Sequence, residues 1–244
     1  MPDFPAGRFA AWVTAWLAGR VSYDAALDAL TADTAASVVG LSDCDGPFGS
    51  ALSALRGLGE SRFRLVLPVP GDVAGLPAVP QLTGLALAAG QVALGDRLAL
   101  VPERVGAEAV TWTAVPLDGA RSVPPVEGSL QSAAGALDLA VRDAARTLAG
   151  LDLARWHPEV PALLAGLAGP APRPCLPPDH DPLAVQILGR AERLAAIVEL
   201  ATADAPGAAV TSAQMAERDR ALRPLATAVR EALAAAYNAV PRSP

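Results

Sequence analysis

The 244-residue sequence predicts an α+β protein: a small mixed β-sheet with flanking helices in the N-terminal half, packed on a C-terminal three-helix bundle. Three patterns carry that expectation. Apolar residues recur with a helical period over 9–17, alternate with a strand period over 62–69 and 98–117, and become nearly heptadic from residue 129 onward. The change of period places a sheet-containing region at 1–125 and a helical region at 126–244, expected together as one compact unit.

Phe9, Trp12, Val13, Trp16 and Leu17 fall at i, i+3, i+4, i+7 and i+8, one stripe of an amphipathic helix that Gly19 closes. Two tryptophans at this spacing point to burial rather than to an interface. Ser22 caps a second helix reaching about Leu30, with Asp24 in its first turn, and a third helix is expected over Ser50 to Leu58. Residues 62–69, "RFRLVLPV", then alternate, with Phe63, Leu65, Leu67 and Val69 on one face. Pro80 to Ala89 reads as a helix with Pro80 near its start, Gly90 at its end and Val79, Leu82, Leu85, Ala86 and Ala89 inward. A short strand over Gln91 to Leu94 follows it. Residues 98–105 and 109–117 read as a hairpin joined by Gly106-Ala107-Glu108, with Val110, Trp112 and Ala114 sharing a face opposite Thr111 and Thr113.

In the second half, Leu130, Ala134, Leu137, Val141 and Ala144 step by four and three, as do Ile187, Ala191, Leu194 and Val198. The same step carries Leu222, Ala226, Val229, Leu233 and Ala236. Three narrow stripes bury themselves most simply against one another and the sheet. Asp138 and Arg142 are spaced for an i, i+4 pair on the outer side. Asp181-Pro182 and Thr211-x-x-Gln214 mark helix starts, whereas Pro224 is expected to kink or divide the last helix. Between the first two of these helices, residues 158–182 hold eight prolines and read as a stiff connector.

Composition narrows the chemistry. All 19 basic residues are arginine, which excludes Schiff-base catalysis, a lysine general base and a Walker-type phosphate loop. A net charge of −6 with scattered arginines argues against nucleic acid as a partner. Residues 73–95 carry no charge but hold prolines and glycines, and the run at 9–19 is short and bounded by Arg8 and Arg20; neither reads as a membrane span or a leader peptide. Cys44 and Cys175 lie far apart, as free thiols do in a reducing cytoplasm, which is the expected compartment.

Three constellations could carry chemistry. Asp43-Cys44-Asp45-Gly46 resembles, over about ten residues, the nucleophile loop of haloacid-dehalogenase phosphatases. That mechanism needs a lysine and a later acidic pair for Mg²⁺, both missing, so the segment reads as a Gly-Pro surface turn. Cys175, Asp179, His180 and Asp181, with His157 and Glu159, mix possible metal ligands at a spacing that matches no metal framework. No metal, cofactor or catalytic set is therefore expected. The third is "LPVPGDVAGLP", residues 67–77, where a strand ends in a turn and a glycine loop before a helix, a place where small ligands bind in open sheets. There Asp72 would supply charge, Gly71 and Gly75 close backbone approach, and Arg64 and Trp112 would join if their strands bring them near.

The runs "RLVLPVPGD", "GLP", "VTW" and "ARWHPE" together resemble an uncharacterised protein family of GC-rich actinobacteria, a likeness spanning most of the chain. It implies no particular activity, and it adds Arg155 and His157 to the candidate ligand-binding residues. The expected function is that of a non-enzymatic interaction or scaffold protein, docking a protein partner or a second copy through its helical faces. The alternative is a small-ligand-binding protein or enzyme with its site at the Pro-Gly-Asp loop.

Overall fold

A computed structural model describes residues 3–32, 34–41, 46–106, 108–117, 129–149, 175–202 and 212–239. The chain divides into two compact units, one comprising 3–127, 175–181 and 237–244, the other 128–174 and 182–236 with residues 1–2.

The first unit contains α1 (Pro5–Leu17), α2 (Tyr23–Thr31), β1 (Ala35–Val39), β2 (Gly46–Pro47), α3 (Phe48–Gly57), β3 (Arg64–Val66), α4 (Pro80–Ala89), β4 (Val92–Leu94), β5 (Leu98–Val105) and β6 (Ala109–Pro116). The six strands form one mixed sheet in the order β2-β1-β6-β5-β4-β3. β1 lies parallel to β6, with Val38 opposite Trp112, and the other pairings are antiparallel. The α+β class, the hairpin of 98–105 with 109–116, and the limits of α4 are as the periodicities predict. The 62–69 run is shorter than expected as a strand, because only Arg64, Leu65 and Val66 find ladder partners.

Register assigns the faces. Arg64, Leu94, Ala99 and Val115 stand opposite one another on one side of the sheet, and Leu65, Ala93, Leu100 and Ala114 on the other. On the first side Leu82 and Ala86 of α4, both fully buried, close a core over Val66, Val92, Val101 and Val115. That cover is partial: Val39 of β1 and Val105 at the end of β5 remain 40% and 55% exposed. On the second side Trp112 meets Phe9 of α1 (ring centroids 5.0 Å) and Phe48 of α3 (6.0 Å), while Phe9 also meets Phe63 edge-on at 5.1 Å. Aromatics are 4% of the chain, so gathering four of them here concentrates its largest apolar surfaces behind one strand. Trp12 and Trp16 are buried too, Trp16 beneath the Arg56 guanidinium at 4.3 Å.

Side chains finish what the ladder leaves open. The β3 edge would expose unpaired backbone groups. Thr14 Oγ1 accepts from Phe63 N–H and donates to Phe63 O, and Asn238 accepts from Leu65 N–H (2.6 Å) while donating to Leu65 O (2.9 Å). The single asparagine in the sequence thus stands in for a neighbouring strand. Glu60, 5% exposed, accepts three backbone N–H bonds from Asp96, Arg97 and Leu98 at the β4–β5 turn. Gly95 beside it has no room for a side chain: a Cβ would stand 2.7 Å from Glu60 Oε2 and 2.8 Å from the Phe63 ring.

The second unit holds α5 (Leu130–Ala149), α6 (Pro182–Thr202) and most of α7 (Ser212–Tyr237). The heptadic positions Leu137, Ala144, Ile187, Ala191, Leu222, Val229 and Leu233 are buried, as the stripes predict. The α7 stripe is wider than predicted, taking in Leu225, Ala228 and Ala232. Pro224 does not divide α7. It is exposed, so the hydrogen bond its missing N–H forfeits falls on the solvent side, where water can serve the orphaned carbonyl. Asp138 is engaged by Arg190 of α6 rather than by Arg142. Among the described residues no helix is long and apolar enough to cross a membrane.

Candidate functional site

The Pro-Gly-Asp loop is built for its own closure. Val69 and Asp72 exchange two backbone hydrogen bonds of 2.9 Å around Pro70 and Gly71, whose φ of +86° suits the third position of a type II turn. Asp72 Oδ1 then accepts from Ala74 N–H, and the guanidinium of Arg64 donates to Gly75 O at 2.9 Å. A Cβ on Gly75, itself at φ +89°, would stand 3.4 Å from that guanidinium. Burial, with the like charge of Arg62 adding to it, lowers the Arg64 pKa from its usual value. Arg64, Gly71, Asp72 and Gly75 are therefore brought together, with polar groups turned onto the loop's backbone. Trp112 is not brought to them. It is buried in the aromatic cluster on the opposite face of the sheet, three strands away from β3, about 14 Å by strand spacing.

Arg155 and His157 lie outside the described residues, as do the Asp43-Cys44-Asp45 turn and most of the 158–182 connector. Of the mixed ligand set, Cys175 is an exposed free thiol, Asp179 pairs with Arg20 at 2.6 Å, and His180 is 7% exposed. No group of three His, Cys, Asp or Glu among the described residues is arranged to hold a metal ion.

A different site emerges in the second unit. Val141 of α5 and Val185, Leu194 and Ile197 of α6 wall an open groove of about 620 Å³. Gly189 leaves its middle low, because nothing lies within 4 Å of where its Cβ would be. Gln186, Arg190 and Arg193 supply the polar lining. Arg190 is neutralised by Asp138, whereas Arg193 is half-buried and its Nε, shut off from water, has no hydrogen-bond partner among the described residues. An unsatisfied buried donor of this kind costs about 1–3 kcal/mol. Because the guanidinium stays charged, the groove carries a positive charge that no described side chain answers. The pattern was present in the sequence. Gln186, Arg190, Arg193 and Ile197 repeat the 4, 3, 4 step of the buried Ile187 stripe one residue earlier, forming the ridge beside it. What the sequence could not show is which flank of that stripe another helix covers.

The chain matches two consecutive domain families, described as the N-terminal domain of the Rv1486c-like protein over residues 6–128 and its C-terminal domain over 131–234. The chain belongs to this family. Its relatives include mycobacterial proteins. One, named uncharacterized protein Rv1486c, from Mycobacterium tuberculosis H37Rv, is 30% identical over an alignment 281 positions long, gaps included, that covers 97% of this chain and 96% of the relative. Another, uncharacterized protein ML1804 of Mycobacterium leprae, is 28% identical with 97% of each chain covered. The actinobacterial family expected from the sequence is thus the one found. No solved structure matches the chain.

Proposed function

We propose that this Rv1486c-like protein is a non-enzymatic interaction protein of the cytoplasm, and that it binds through the α5–α6 groove. The observation that supports this reading is the groove itself: apolar walls and a low glycine floor beside a guanidinium whose Nε no described residue answers. Such a surface combines apolar area with one directional charge, as docking sites do. The candidate ligand-binding groups favour the same reading, since Asp72 and Arg64 each hydrogen-bond the backbone of their own loop. An exposed Cys175 thiol suits a reducing compartment.

Site-specific photo-cross-linking tests it. A benzophenone side chain placed at position 186 in living cells is expected to yield a discrete adduct that Gly189→Trp abolishes by filling the groove. The same probe at position 104, on exposed β5 surface, is expected to give none that depends on Gly189. No adduct from position 186, or one indifferent to Gly189→Trp, overturns the assignment.

A further inference from the structure

Building on that binding role, we infer that the groove's occupant is an acidic amphipathic helix of another protein, seated so that one of its carboxylates meets Arg193. Length is the first argument. From Val185 to Ile197 the wall follows α6 for twelve residues, about 18 Å at 1.5 Å per residue, or a little over three turns. A small ligand would fill part of such an open trough and stay largely hydrated, whereas a helix lays a ridge along all of it.

Depth is the second. Gly189 sits midway along the wall with open space above its Cα, so a partner backbone can approach there more closely than over any larger residue. Ile197 and Leu194 on one side of it and Val185 on the other are spaced to receive apolar side chains at successive turns of the incoming helix.

Charge is the third, and it selects the acid. Arg190 already has Asp138. Among the described residues none accepts from Arg193, and its Nε is both dry and unpartnered. A carboxylate entering the groove supplies the acceptor, and a small outward movement of the guanidinium satisfies Nε at the same time. The chain as a whole, at net −6, repels an acidic partner, so recognition has to be local to this guanidinium. One unanswered arginine cannot hold a phosphate backbone, which needs several.

The test uses fluorescence anisotropy with the full chain and two labelled synthetic helices of about 16 residues, long enough to hold helical structure. Both carry leucines at i, i+4, i+7 and i+11; one has glutamates beside them and the other glutamines. The glutamate peptide is expected to bind about tenfold more tightly, as a charge-assisted bond to a partly buried arginine warrants. Arg193→Gln should bring that ratio close to one, and Gly189→Trp should abolish binding of both peptides while circular dichroism shows the helices intact. Equal affinity for the two peptides, or a ratio unmoved by Arg193→Gln, overturns the inference. So does Arg193-dependent binding of dodecanoate without peptide binding, or a self-association lost in Arg193→Gln, which would make the occupant a small amphiphile or a second copy. If the peptides fail while the position-186 cross-link persists, the binding role stands and only the acidic helix falls. If both fail, both readings fall.

Discussion

Glu60→Gln separates two opposing effects on one buried carboxylate. Glu60 Oε1 accepts from Arg97 N–H (2.8 Å) and Leu98 N–H (2.9 Å), and Oε2 from Asp96 N–H (2.7 Å). Those bonds favour the ionised form. Burial opposes it and prevails, raising the Glu60 pKa above 4.5. Between 4.5 and that raised value the native state therefore binds more protons than the unfolded chain, so Glu60's contribution to stability is full below 4.5 and declines as pH rises through the native value. The amide keeps one oxygen for Arg97 and Leu98 but turns an NH₂ toward the Asp96 N–H. That loses one hydrogen bond of about 0.5–1.5 kcal/mol and sets two donors face to face, a deficit of about 1–2 kcal/mol. In a chain of this size it lowers Tm by about 2–8 °C. Urea unfolding of both proteins from about pH 4 to pH 8 measures it, since subtracting the curves cancels the other titrating groups. The deficit should be largest at acid pH and shrink as pH rises, because only the carboxylate ionises. A deficit that widens toward pH 8 refutes the reasoning: the three N–H bonds would then outweigh the burial.

Other perturbations read out the remaining devices. Asn238→Ala strips both surrogate bonds from Leu65 and should cost about 1–3 kcal/mol, with faster amide hydrogen exchange at Leu65 than at Ala93. Thr14→Val keeps the shape of the side chain but removes the hydroxyl that both accepts from and donates to Phe63, and should cost about 1–2 kcal/mol in urea unfolding. Leu82→Ala, at a fully buried position of α4, should cost about 2–5 kcal/mol through the cavity it leaves, measured by the same curves. Arg20→Ala, by contrast, breaks an ion pair whose partners are 26% and 39% exposed, and should change stability by less than about 1 kcal/mol.

What was legible beforehand is the set of features whose cause is local. The stripe of Phe9 to Leu17, the Pro80-to-Gly90 helix and the Val110-Trp112-Ala114 alternation each report which side of an element turns from water, and a period of 3.6 or 2 reveals that without any neighbour. The Ser22 cap, accepting from Ala25 N–H at 3.1 Å, is equally short-range. Gly71, Asp72 and Gly75 lie together for the same reason, since one short loop spans them, whereas Arg64 reaches Gly75 O from β3, eleven residues upstream.

The sequence by itself determined the class of most elements, though not β1 or β2, the change from sheet to helices near residue 129, and membership in a family read from its wording. Only the tertiary structure decided that Trp112 and Arg64 face opposite ways, that Asn238 edges a strand 173 residues upstream, and that Arg193 Nε is left without an acceptor among the described residues. Each of these depends on which distant segments become neighbours. Strand order and helix pairing are settled by the joint burial of many weak apolar contacts, and no window of sequence contains that sum.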